Sequence, residues 1–99
     1  MSHFLVRLAK ARPERMTRPL VAAHVAWLRK LHEGGQLVVC GSCADGTALL
    51  VLASATEEEA ARLAESDPFA GAGAYGERSV VAFRMATPEN NFLLGEQAR

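Results

Sequence analysis

The stretch Leu37-Val38-Val39-Cys40-Gly41-Ser42-Cys43-Ala44-Asp45-Gly46-Thr47-Ala48-Leu49-Leu50-Val51-Leu52-Ala53 decides the fold. Leu37 to Cys40 is a short apolar run, and Ala48 to Ala53 is a second. Between them Asp45-Gly46 is a strong hairpin signal, because such a turn needs residues that tolerate positive φ. The second run is apolar at every position, so both of its faces are expected to be covered.

Upstream, Gly34-Gly35 ends a helix, since glycine accepts the left-handed cap conformation. That helix opens at Thr17 or Arg18, with Pro19 in the first turn where a missing N–H costs nothing. Leu20, His24, Trp27, Leu28 and Leu31 recur at helical spacing and form one stripe, which puts His24 on the apolar face. Lys10 to Met16 reads as a charged loop, and Phe4 to Ala9 alternates as a strand.

Downstream, Thr56-Glu57-Glu58-Glu59 reads as a capping box with acidic residues suited to a helix N-terminus. Ala60, Leu63 and Ala64 give this second helix a shallow apolar face. Pro68 disfavours helical geometry at Asp67, so the helix is expected to stop near Ser66. Phe69 to Gly76 reads as a glycine-rich loop, and Ser79 to Met85 as the last strand. Residues 1–86 then form one domain and residues 87–99 a C-terminal tail, where Phe92-Leu93-Leu94 offers an apolar docking patch.

The order is β-α-β-β-α-β, the plan of an α+β, ferredoxin-like fold with a four-stranded antiparallel sheet and two helices on one face. The other face is apolar too, and pairing two sheets in a homodimer would cover it. A chain of 99 residues makes a shallow core, so a compact pocket is also expected to need a second chain.

Lys+Arg and Asp+Glu are equal at 11 each, which leaves little electrostatic drive toward nucleic acid or an anionic membrane. No apolar run approaches the ~20 residues that span a bilayer. The N-terminus lacks the layout of a secretion signal, and the cytoplasm is the expected location.

Asp67-Pro68-Phe69 offers a carboxylate to the lone helix histidine, His24. A carboxylate can fix the tautomer and orientation of an imidazole, so such a pair beside a pocket is a proton-transfer device. Spacing alone equally allows His24 as a core histidine with one satisfying partner. Asp67 before proline equally reads as a turn residue bonded to nearby backbone.

In these residues the chain resembles the YCII-related family of the dimeric α+β barrel superfamily. The resemblance covers roughly Phe4 to Met85. It is carried by His24-x-x-Trp27-Leu28-x-x-Leu31, Gly35-x-Leu37, Gly41, Asp45-Gly46, Ser66-Asp67-Pro68-Phe69 and Gly73, in that order and spacing. It implies an active site built on His24 and Asp67. Some relatives are similar to muconolactone isomerase, and one removes chloride from a chlorinated hydroxyquinone. This chain departs from the family pattern at Ser42, where proline often follows the glycine, and in its longer tail.

Under that reading His24 is the general acid/base and Asp67 orients it. Ser42 is placed near the pocket by the end of the second strand. Trp27, Phe69 and Tyr75 could wall it, with core packing the competing role for the first two. Tyr75 could bind a polar substrate group. Cys40 and Cys43 have C-x-x-C spacing but leave a strand for a hairpin instead of opening a helix, so they read as two reduced thiols. Two cysteines do not fill a four-ligand zinc site, and neither a metal nor a cofactor is expected. The glycine-rich loop does not link a strand to a helix and fails as a phosphate cradle, leaving the reading of a flexible lid. Glu57-Glu58-Glu59 reads as a solvated first turn, while His3 and His32 read as structural.

The expected function is cofactor-independent proton transfer, as isomerisation or elimination, on a small cyclic or aromatic organic acid or phenol. The alternative is a non-catalytic domain that binds a small ligand in the same pocket.

Overall fold

A computed structural model of the chain describes residues 1–94. Four strands, β1 (Ser2–Ala11), β2 (Leu37–Ser42), β3 (Ala48–Ser54) and β4 (Tyr75–Phe83), form one antiparallel sheet in the order β2-β3-β1-β4. Three helices, α1 (Arg18–Glu33), α2 (Glu57–Glu65) and the short α3 (Pro68–Ala72), connect them. The fold is the ferredoxin-like α+β arrangement that the order of elements implied. Among the described residues no helix is long and apolar enough to cross a membrane.

The strand period of two divides the sheet into two faces. Phe4, Val6 and Leu8 of β1 and Leu50 and Leu52 of β3 are buried under the helices. Val6, Leu8, Leu50 and Leu52 share one cluster with Leu31 of α1 and Ala64 of α2, and Trp27, Leu28 and Val80 pack against it. Each such leucine contributes roughly 1.5–3 kcal/mol by leaving water. On the opposite face, paired residues set Val39, Val51, Leu5 and Val81 in one row across all four strands. Val39 and Val81 stay 57% and 49% exposed at the two ends of that row.

The helix ends follow local chemistry. The Thr17 side chain accepts a hydrogen bond from Leu20 N at 3.3 Å, and Gly35 takes φ +76° after Gly34 caps α1. Thr56 Oγ1 accepts from Glu59 N at 3.1 Å, but Glu59 reaches back to Ala55 N, one residue earlier than a closed capping box requires. The hairpin closes through Cys43 N donating to Thr47 O and Gly46 N donating to Cys43 O, with Gly46 at φ +89°. Asp45 accepts from both the backbone and the hydroxyl of Thr47, which holds its carboxyl below the usual carboxylate range.

Several boundaries differ from the sequence reading. β1 runs on to Ala11 because Lys10, at φ +57°, bends the strand instead of ending it. Pro13–Arg15 within the expected loop forms a 3-10 turn. The stretch Phe69 to Gly76 is not a loop or a lid: Asp67 caps α3, and β4 begins at Tyr75, which pairs with Ala11. β4 ends at Phe83, short of Met85, because Phe83 already pairs with His3 at the start of β1. In the tail, Thr87 caps 3-10 turns over Pro88–Leu93, leaving Phe92 and Leu94 exposed, while residues 95–99 lie outside the described residues.

Candidate active site

Pro68 fixes the geometry from which the site grows. It holds Asp67 extended, at ψ 127°, and starts α3, so the Asp67 side chain is free to turn back as its N-cap. Asp67 Oδ1 accepts from Phe69 N at 2.9 Å and pairs with His24 Nδ1 at 2.7 Å. The carboxylate is 3% exposed, and a charge that deep requires such partners. The readings of Asp67 as turn residue and as histidine partner are therefore both realised, through one oxygen.

An ionised carboxylate only accepts, so the network assigns the proton to Nδ1 and leaves Nε2 as the variable nitrogen. Among the described residues Nε2 has no hydrogen-bond partner. Phe69 lies nearly parallel to the imidazole, with centroids 3.9 Å apart at 9°, and Trp27 lies at 5.8 Å and 27°. Trp27 Nε1 donates to Ser66 Oγ at 2.9 Å, and Ser66 Oγ donates to Leu63 O. These bonds join α1 to the end of α2 beside the Asp67 turn, which fixes the helix that carries His24.

The imidazole lines a cavity of about 190 Å³ between α1 and the β2–β3 end of the sheet. Leu8, Leu28 and Leu50 give it apolar walls, and Ser42 and Tyr75 also line it. Burial and the nearby Asp67 carboxylate push the Tyr75 phenol above its ordinary value of 10.0, so it is a neutral donor at physiological pH. Of the residues expected at the pocket, His24, Ser42 and Tyr75 come together here. Asp67 sits behind the histidine, and Phe69 and Trp27 stack near the imidazole without lining the cavity.

Cys40 also lines this cavity, although the sequence reading gave its thiol no place there. The signal was present: Cys40 and Ser42 are two apart on one strand, so they share a face. Cys40 and Cys43 are free and exposed. Among the described residues no group of three or more His, Cys, Asp or Glu is placed to hold a metal ion.

A larger cavity of about 550 Å³ lies between the start of β1 and the chain after β4. Size does not make it the better site. Its Thr87 and Asn90 already bond one another, and among the described residues it contains no histidine–carboxylate pair.

Fold and pair together define a ferredoxin-like α+β domain with a carboxylate-held histidine facing a small, mostly apolar cavity. The chain belongs to the family of the YCII-related domain, whose model matches residues 3–84. It is similar in structure to the 5-chloro-2-hydroxyhydroquinone dehydrochlorinase TftG from Burkholderia phenoliruptrix AC1100, solved in complex with 2,5-dihydroxybenzoquinone. The two are 26% identical with a TM-score of 0.67, over 83% of this chain and 93% of that chain. Among curated proteins none matches the chain.

Proposed function

We propose that the chain is a cofactor-independent enzyme that moves a proton on a small cyclic or aromatic substrate, in an elimination or isomerisation. The observation that carries this reading is the 2.7 Å His24–Asp67 pair, whose second imidazole nitrogen is unpartnered among the described residues on a ring that lines the cavity. Membership of the YCII-related family and similarity to a dehydrochlorinase support it.

In this mechanism neutral His24 takes a proton from the substrate at Nε2. The imidazolium then keeps its Nδ1–H on Asp67, and the face of Phe69 adds a cation–π contact. The electron pair released by the substrate either expels a leaving group as its anion or is reprotonated by His24 at another carbon. Tyr75 donates a hydrogen bond to the oxygen on which charge builds up, and Ser42 holds a second oxygen. General acid–base work of this kind contributes roughly 10²–10⁴-fold.

The test is a turnover screen on chlorinated and unchlorinated hydroxylated rings, read by chloride release and by ultraviolet spectra, with His24→Asn beside the native chain. The expected result is turnover that falls about 10²–10⁴-fold in the variant while ligand binding persists. Binding without turnover in the native chain would overturn the enzyme reading in favour of a ligand-binding domain.

The proposal includes a homodimer formed through the open face of the sheet. Its support is the apolar row Val39, Val51, Leu5 and Val81, whose two ends, Val39 and Val81, stay exposed among the described residues. Sedimentation should give twice the chain mass. Val39→Glu with Val81→Glu should give the single mass, because two charges on each sheet face would be buried unpaired.

A further inference from the structure

We infer that the cavity selects rings whose substituents are uncharged hydroxyl and oxo groups, and that it rejects carboxylates; this rests on the cavity being the binding site proposed above. The first observation is size. A cavity of about 150 Å³ holds benzene, so about 190 Å³ holds one six-membered ring with a few small substituents.

The second observation is charge. Among the described residues the lining includes no lysine, arginine, aspartate or glutamate. The titratable cation among these described residues is His24, and that ring already faces Asp67. While His24 is neutral and ready to accept a proton, the lining offers an anion no cation, and the Asp67 carboxylate stands directly behind the imidazole at 2.7 Å. A carboxylate in the cavity would lose its water, gain no counter-charge and face Asp67.

The chain contains its own probe of that field. Tyr75 sits in the lining, and its anionic form is disfavoured first by desolvation and then by the charge of Asp67. A ligand anion in the same place meets the same loss of water and the same opposing charge.

The third observation is the kind of polar group present. Tyr75 supplies a phenol, Ser42 a hydroxyl, Cys40 a thiol and His24 one acceptor nitrogen. None of these side chains has another hydrogen-bond partner for those atoms among the described residues. Three neutral donors and one base match a ring with oxo oxygens to receive hydrogen bonds and one hydroxyl to release a proton. The remaining walls, Leu8, Leu28 and Leu50, suit the ring faces.

The test compares two probes of equal size, 4-hydroxybenzamide and 4-hydroxybenzoate, titrated at pH 7.5 into the full chain labelled with ¹⁵N. Backbone resonances of His24, Ser42 and Tyr75 report occupancy of the cavity. The expected result is at least tenfold tighter binding of the amide. Ser42→Lys, an exposed site whose change leaves the core untouched, should add a cation to the lining and raise benzoate affinity at least tenfold. Benzoate binding as tightly as the amide in the native chain would overturn the charge selection and leave the cavity as the binding site. Failure of both probes to move those resonances at millimolar concentration would overturn the site reading with it.

Discussion

On the α1 side of the cavity the histidine is braced from several directions, while on the β2 side the polar groups stand free. Asp67 Oδ1 accepts two hydrogen bonds, Phe69 stacks on the imidazole, and Trp27 is tied to Ser66. Ser42 and Cys40 project from an edge strand, exposed and without side-chain partners among the described residues. A base must be held to within a fraction of an ångström to take a proton, whereas a recognition group can be exchanged at little cost in stability. Under the proposed function the difference is a division of labour: one wall would fix the chemistry and the other would tune what enters.

The comparison breaks most directly at Asp67→Asn. The amide can keep Phe69 N as a donor to its oxygen while presenting its own N–H to His24 Nδ1. That moves the imidazole proton to Nε2 and removes the base from the cavity. Turnover should fall at least ~10²-fold. Long-range ¹H–¹⁵N correlations of the imidazole should show Nδ1–H in the native chain and Nε2–H in the variant. An unchanged tautomer with unchanged turnover would mean that the brace is structural only.

Much of this was legible from residues. The stripe Leu20, His24, Trp27, Leu28 and Leu31 located the histidine on the inner face, and Pro68 located the end of α2, because both signals are local and steric. The hairpin and the two-faced apolarity of β3 followed from turn chemistry and period. What stayed hidden depended on distant partners. Tyr75 reads as loop because glycines surround it, yet pairing with Ala11 beyond the bend at Lys10 draws it into β4. Pro68-Phe69-Ala70-Gly71-Ala72 has too little periodicity to announce a helix, and it forms one because the Asp67 cap starts it and Gly73, at φ +67°, stops it. That Phe69 and Trp27 brace the histidine, instead of lining the cavity, is a matter of three-dimensional direction that spacing does not carry.

Ser42→Ala sharpens the comparison from the other wall. Losing one neutral hydrogen bond of about 0.5–1.5 kcal/mol should raise KM roughly two- to tenfold. Because Ser42 touches no part of the brace, kcat should hold, and as an exposed edge position it should change stability by no more than ~0.5 kcal/mol. A fall in kcat with KM unchanged would place Ser42 among the groups that act on the transition state and would erase the division between the walls.

The smallest expected effect comes from Tyr75, which stands between the two walls. Its phenol is held above 10.0 in the folded chain, so the native state keeps this proton after the unfolded chain begins to lose it. Stability from this source is fully present below pH 10.0 and is lost as pH rises from there through the folded value. Melting temperature followed from pH 8 to pH 11 should therefore fall more steeply in the native chain than in Tyr75→Phe, which has no proton to lose. The same phenol should contribute no alkaline limb to the turnover profile below about pH 10. Parallel melting curves would mean that Tyr75 stands in water instead of beside the buried carboxylate, and the oxygen of the substrate would then have to find its donor on the β2 wall alone.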